Sequence, residues 1–138
     1  MQARRLLAAA LVALGSVAAA WRSEARAADA IDYDSFMKAD PAARRDAFAT
    51  LSAEQKADLM RTHMQRWRAA HERQLSKAQR QVVDDNIAAI APDFYRQPTT
   101  PEWRNKAVSL FKRASEVFTR DEMTQLFTLD GEHVPEPR

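Results

Sequence analysis

The sequence predicts a small all-α protein, a compact bundle of four to five helices that follows a cleaved signal peptide. The chain of 138 residues has no cysteine and only two glycines. Tight turns between strands, and phosphate-binding loops, need glycine, whereas the abundant Ala, Arg, Gln, Leu and Met favour helices. Without disulfides, packing between apolar helix faces has to supply the stability.

The N-terminal residues have the pattern of a secretory signal peptide. Arg4 and Arg5 precede the apolar run LLAAALVALGSVAAAW, and the small-residue sequences ARA and ADA offer cleavage after residue 27 or residue 30. A membrane-spanning helix needs about 20 apolar residues, so the pattern favours cleavage over a retained anchor. We therefore expect a periplasmic or secreted protein with no transmembrane anchor after cleavage.

Removal of residues 1–27 would reverse the sign of the net charge. Those residues hold four arginines and one glutamate of the 21 basic and 19 acidic residues, so 17 basic and 18 acidic residues would remain. Nucleic-acid-binding domains carry a basic excess, and we therefore expect no nucleic-acid partner. The remaining length predicts a single all-α domain at residues 28–130, followed by a mobile C-terminal tail at residues 131–138.

The first two predicted helices are short. YDSFMKA, which begins at Tyr33, is interpreted as one helical turn. Asp40 supplies an N-cap and Pro41 the first position of the next helix, which runs through PAARRDAFATL. The apolar residues of this second helix are Ala43, Ala47, Phe48 and Leu51.

Ser52 begins the longest predicted helix. At 100° per residue its apolar side chains fall on one arc, and charged residues lie opposite. We expect this arc to be buried, with Trp67 among the largest residues of the core. The arc consists of Leu59, Met60, His63, Met64, Trp67, Ala70 and His71.

Three further helices follow. One runs from Lys77 to Ala91 and ends before Pro92, the next opens at Thr100, and Thr119 caps the last. The helix after Thr100 has the strongest helical periodicity in the chain, and we expect its stripe to be core. The three inward stripes are Val83, Ile87, Ile90 and Ala91; then Trp103, Ala107, Leu110, Phe111, Ala114 and Phe118; and finally Met123, Leu126 and Phe127.

The pattern Leu-Ser-x-x-Gln occurs at Leu51 and again at Leu75. In each copy the serine can accept from the backbone N–H three residues later, while the glutamine reaches back to the N–H of the serine. Thr119 with Glu122 repeats the arrangement. We interpret all three as capping boxes, so helix geometry alone accounts for the spacing.

Six basic residues between positions 61 and 80 are accompanied by a single acidic one, Glu72, and they form a candidate binding face. An anionic envelope component or an acidic protein surface would be attracted to such a face. The alternative is that acidic residues elsewhere fold back against it, notably Asp40, Asp46, Asp84, Asp85 and Asp93. The candidate residues are Arg61, Arg66, Arg68, Arg73, Lys77 and Arg80.

The sequence contains no catalytic motif. It lacks a His-Glu-x-x-His zinc motif and a glycine-rich phosphate loop, and the adjacent Asp84 and Asp85 diverge by 100° on a helix. We expect no enzyme activity, cofactor or metal. A weak copper(I) site is the alternative, because Met60, His63 and Met64 share one helix face and thioethers suit that ion.

The order of features from Tyr33 to Leu129 resembles the bacteriocin fulvocin C-related proteins. The matching residues are YDSFMKADPAARRDAFATLSAEQKADLMRTHMQRW, then LSKAQRQVVDDNIAAIAPDFY, then EWRNKAVSLFKRASEVFTRDEMTQLF. The resemblance implies export, a helical fold and an antibacterial or envelope-associated role.

The two Leu-Ser-x-x-Gln copies are also similar to the motifs of LTxxQ-motif periplasmic chaperones of the Spy type, with Ser in place of Thr. This second resemblance implies a different role, the binding of unfolded envelope proteins on an apolar and basic surface. Both resemblances imply a protein that binds other molecules.

Overall fold

The protein is built from short helices whose first turns are closed by side-chain caps. The structure is a computed structural model that describes residues 30–138, and the predicted signal peptide lies outside the described residues. Within this range the predicted all-α class is confirmed. The elements are α1 (Tyr33–Met37), α2 (Pro41–Thr50), α3 (Ala53–Ala70), α4 (Lys77–Ala89), the 3-10 helix η1 (Pro92–Tyr95), α5 (Pro101–Ser115) and α6 (Arg120–Phe127).

All three predicted capping boxes are present. Ser52 accepts from the backbone N–H of Gln55 at 3.1 Å, and the Gln55 side chain accepts from the backbone N–H of Ser52 at 2.9 Å. Ser76 with Gln79 and Thr119 with Glu122 form the same pair of bonds. The boxes satisfy backbone donors that each first helical turn leaves unpaired, which confirms that the repeated pattern marks helix starts.

The long helix α3 forms the centre of the core. It packs against α1, α4, α6 and η1, so neighbours cover its predicted apolar arc. Trp67 is 2% exposed, and its ring edge contacts Phe118 at a centroid distance of 5.7 Å. The arc is buried at Leu59, Met60, His63, Met64 and Trp67, whereas Ala70 is exposed and His71 is half-buried.

The flanking helices α4 and α6 bury most of the predicted stripes. Val83 and Ile90 are buried in α4 and at its end, and Met123 and Leu126 are buried in α6. The helix α4 ends at Ala89, two residues before the predicted end, because the chain is already extended at Ile90. The predicted connector after it begins with the 3-10 turn η1.

The prediction that the stripe of α5 belongs to the core needs correction. In α5 only Ala114 is buried, Trp103 and Leu110 are half-buried, and Ala107 and Phe111 are exposed. Trp103 is therefore not a core residue. The reason is that α5 packs on η1, α4 and α6 but leaves a cavity under its middle turns. In α2 the buried residue is Arg44, whereas its alanines are exposed.

The C-terminal residues pack back onto the helices. One compact unit extends from Ile31 to Arg138, which includes the segment predicted to be a mobile tail. That segment has no helix or strand, but Val134 packs on the core and the His133 ring stacks on Tyr33 at 5.6 Å. Within residues 30–138, no helix combines the length and apolarity needed to cross a membrane.

Candidate functional site

The six basic residues predicted as a binding face are divided between two sides of α3. On the side towards α4, Arg61 pairs with Asp58 at 2.7 Å and donates to the backbone oxygen of Ile90 at 3.1 Å. Arg68 pairs with Asp84 at 3.1 Å and with Glu72. These two guanidinium groups tie α3 to α4, so their charges are largely compensated.

Arg66 lies on the other side of α3, against α1. It forms a two-pronged ion pair with Asp34 at 2.6 and 3.1 Å, and its guanidinium lies over the Tyr33 ring at 4.8 Å from the ring centroid. The hydrogen bond from Arg66, and secondly the one from His133, lowers the pKa of Asp34 to about 2. Arg66 therefore holds α1 and the C-terminal segment on α3.

The remaining three basic residues of the predicted face lie nearer the solvent. Arg80 pairs with Glu72 at 3.6 Å, while Arg73 and Lys77 are exposed and have no ion pair among the described residues. Acidic residues compensate most of the predicted face, as the alternative interpretation held, although with partly different partners. Asp84 pairs with Arg68, but Asp40 caps α2, Asp85 pairs with Arg113 and Asp93 pairs with Arg96.

His63, the central residue of the copper alternative, is 2% exposed and uses both ring nitrogens. The Tyr33 hydroxyl donates to Nδ1 at 2.8 Å, and Nε2–H donates to the backbone oxygen of Gln125 at 2.7 Å. The carbonyl can only accept, so this geometry defines the neutral tautomer with the proton on Nε2. Burial lowers the pKa of His63. A metal ion at His63 would have to break one of these bonds.

The other histidines also have partners. His71 stacks on Trp67 with 4.2 Å between ring centroids, and its Nδ1–H donates to the backbone oxygen of Trp67 at 2.8 Å. His133 bonds Asp34 on α1. Within residues 30–138 there is no group of three or more His, Cys, Asp or Glu side chains arranged to hold a metal ion.

The most prominent surface feature is the outer face of α5. Val108 is 66% exposed and Phe111 is 58% exposed, and Ala107 lies beside them on the same face. Arg104 and Lys112 are four residues before and after Val108, which places them on the same side of the helix. We call the set Arg104, Ala107, Val108, Phe111 and Lys112 the α5 face.

A cavity of about 250 Å³ lies beside the α5 face, between α5 and the core. Ala107, Leu110 and Phe111 form one wall, and Met64, Ile90 and Phe127 belong to the other. Phe111 and Phe127 are 6.2 Å apart between ring centroids. The site therefore combines an exposed apolar helix face with an apolar recess beneath it.

A second cavity of about 230 Å³ is lined by Arg44, Phe48, Met60 and Leu129, and shares Tyr95 and Phe127 with the first. Burial raises the pKa of Tyr95 to about 12, so its hydroxyl stays protonated at neutral pH. The polar side chains of its lining are Arg44, which is 6% exposed, Arg45, Thr128 and Asp130.

Comparisons of the chain with protein-family models, with curated proteins and with solved structures found no match. The assignment of the candidate site therefore depends on its geometry alone.

The α5 face was not predicted from the sequence, because the helical periodicity of α5 predicts a buried stripe. The burial of Arg44 was not predicted either, although the sequence of α2 carried a signal. This helix has few large apolar residues, so a polar side chain had to fill part of its inward face.

Proposed function

We propose that the chain is an exported, non-catalytic interaction protein that binds an amphipathic helical segment of a partner protein on the α5 face. The observation that carries the proposal is the exposure of Val108 and Phe111 on one side of a well-formed helix. Side chains of this size gain free energy when a partner removes them from water. Contiguous apolar patches on small proteins commonly mark interaction sites.

The charges of the α5 face indicate the chemistry of the partner. Arg104 and Lys112 border the apolar residues and have no ion pair among the described residues, whereas Arg113 pairs with Asp85 at 3.3 Å on the side of α5 that meets α4. A partner helix with an apolar ridge and acidic residues on its edges would match this arrangement. The cavity beneath Phe111 could receive one large apolar side chain of that ridge.

Export is part of the proposal and has its own test. The arginine pair, the apolar run and the small residues of the first 30 positions support it. Mass spectrometry of periplasmic or secreted material should find a new N-terminus near Ala28 or Ile31. Full-length chain retained inside the cell would contradict the proposed localisation without affecting the α5 face.

Site-specific photo-crosslinking in the native host tests the binding face. A crosslinking amino acid at Val108 should capture a discrete partner, whereas the same amino acid at Arg73, on the basic face predicted from sequence, should not. The segment captured at Val108 is then synthesised as a peptide. Its affinity should fall at least tenfold in Phe111→Ser and Lys112→Glu and stay unchanged in Arg73→Glu. Adducts at position 73 alone would overturn the proposal.

The two resemblances differ in the number of partners that the α5 face should bind. A fulvocin C-related role, antibacterial or protective, implies one specific target, and a growth-inhibition or protection assay would detect it. A Spy-type role implies many unfolded clients, and suppression of the aggregation of several unrelated denatured proteins would detect it. Because the Met and Trp stripe of α3 is buried, any client-binding surface on that stripe is excluded in the folded state, and the α5 face is the surface to vary.

A further inference from the structure

Asn86 is a buried amide in the wall of the cavity beside the α5 face, and its side-chain oxygen is unpaired. Asn86 is 6% exposed and lines this cavity from α4. Its Nδ2 donates to the backbone oxygen of Val82, one helical turn earlier, at 2.8 Å. A carbonyl oxygen can only accept, so this bond defines which end of the amide is the nitrogen. The other end, Oδ1, has no hydrogen bond within the described residues.

The unpaired Oδ1 is not sealed inside the core. Among residues 30–138 the only side-chain nitrogen or oxygen that is fully enclosed without a partner is Nε of Arg44. Oδ1 of Asn86 therefore has open space beside it, and the open space that Asn86 lines is this cavity. A group that fills the cavity and displaces water from Oδ1 must bring a donor of its own, because a buried acceptor without one is costly.

The rest of the lining is uncharged and largely aromatic. Besides Asn86, the only polar side chain in it is Tyr95, and three phenylalanines, Phe94, Phe111 and Phe127, contribute to the wall. A charged group would lose its hydration here without compensation, whereas an aromatic group gains from burial and from ring contacts. The volume of about 250 Å³ exceeds the roughly 150 Å³ that holds benzene in another protein. The cavity therefore suits a neutral aromatic group of two rings with one donor.

We propose that this cavity is the recognition pocket for a tryptophan side chain of the partner helix, whose indole N–H donates to Oδ1 of Asn86. Indole is neutral, and its nitrogen only donates. A phenylalanine would leave Oδ1 without a donor, and a tyrosine has one ring for a space that holds two. Tryptophan is also enriched among the anchors of protein interfaces. The inference rests on the function proposed for the α5 face, since Phe111 belongs to both the face and the pocket.

Free indole tests the pocket without the partner. In NMR of the purified wild-type protein, bound indole should give nuclear Overhauser contacts to the methyl groups of Met64 and Ile90, which line the pocket. Contacts to Trp67 and His71 instead, which line a different cavity under the C-terminal segment, would overturn the inference. No binding at millimolar indole would overturn it too. Neither result would bear on the capture of a partner at Val108.

Asn86→Leu and Asn105→Leu form a matched pair, because Asn105 is exposed on α5 and does not line the pocket. Benzothiophene has the shape of indole with sulfur in place of the N–H. Calorimetry should show that the affinity for indole, relative to benzothiophene, falls at least about threefold in Asn86→Leu and is unchanged in Asn105→Leu. An unchanged ratio in Asn86→Leu would show that Oδ1 is not the acceptor.

A second measurement covers the case in which Asn86→Leu fails to fold. In the wild-type protein the N–H proton of bound indole should give a nuclear Overhauser contact to the side-chain amide protons of Asn86. Bound indole whose N–H lies away from this amide would overturn the inference.

The peptide captured by crosslinking at Val108 provides the last test. It should contain a tryptophan whose replacement by benzothienylalanine, which has the same shape without the N–H, costs at least about threefold more affinity with the wild-type protein than with Asn86→Leu. A captured peptide without tryptophan, or equal losses with the two proteins, would overturn the inference and leave the α5 face as a binding site. Failure to capture any partner would instead contradict the proposed function, and with it the inference that rests on it.

Discussion

The helices α3 and α5 carry apolar stripes of similar regularity, yet only the stripe of α3 is buried. Four elements pack around α3 and cover its large residues, including Trp67. The helix α5 instead packs on η1, α4 and α6 and leaves a cavity under its middle turns. The comparison teaches that helical spacing defines an apolar face without saying whether the protein itself covers it. An uncovered face is available for a partner.

The largest expected effect separates the two tryptophans of these helices. Trp67→Ala should lower the free energy of unfolding by about 3–5 kcal/mol, because the side chain fills the core. Trp103→Ala should cost roughly 1 kcal/mol, because its ring is half-buried and packs edge-on against Phe94 at 4.9 Å. Denaturant unfolding measures both losses of free energy, provided that the m-values of the variants equal that of the parent protein. Similar losses for the two variants would mean that α5 is as well covered as α3.

A smaller effect is expected when the buried histidine of α3 loses its hydrogen-bond donor. Tyr33→Phe leaves Nδ1 of His63 without a partner in the core, and a buried unsatisfied acceptor costs about 1–3 kcal/mol. Tyr95→Phe is the matched control, since Tyr95 lines the cavities beside α5 and its hydroxyl has no hydrogen bond within the described residues. The control should change the free energy of unfolding by less than about 0.5 kcal/mol.

The same histidine predicts how stability depends on pH. Burial lowers the pKa of His63 in the folded state below its ordinary value of 6.5, so the unfolded chain binds its proton first as the pH falls. The contribution of His63 is complete above pH 6.5 and is lost as the pH falls from 6.5 through the lower folded pKa.

Unfolding curves from pH 8 to pH 5 measure this loss, and His63→Gln should remove that part of the slope. Asp34 provides an internal control because its pKa is lowered from 3.8 to about 2, so its contribution is lost only as the pH falls through that lower range. A slope between pH 6.5 and 5 that persists unchanged in His63→Gln would contradict the assignment.

Local interactions explain why much of the fold could be predicted from the sequence. A capping box such as Ser52 with Gln55 needs only four consecutive residues, and the α3 arc needs only helical spacing. The copper alternative shows the limit of spacing alone. Met60, His63 and Met64 do share a face. The two ring nitrogens of His63, however, are hydrogen-bonded to Tyr33 and to the backbone oxygen of Gln125, which are distant in sequence.

The candidate sites depend on contacts between distant segments, and this is why they could not be predicted. Arg44 is buried because the end of α6 brings the carbonyl oxygens of Leu129 and Gly131 to it, and no local pattern encodes that approach. The predicted basic face is not continuous for a related reason. Arg66 pairs with Asp34 on α1, whereas Arg68 pairs with Asp84 on α4, so the two arginines lie on different sides of α3.

The smallest effect on stability is expected on the α5 face itself. Val108 is 66% exposed, so Val108→Ser removes little buried surface, and valine and serine have similar helix propensities. The free energy of unfolding should change by less than about 0.5 kcal/mol, while partner binding falls. Ala114→Leu on the fully buried side of the same helix is the contrast, because overpacking there should cost about 1–3 kcal/mol. A large loss of stability in Val108→Ser, measured by denaturant unfolding of the purified domain, would show that the protein covers this face itself and would remove the main support for a partner there.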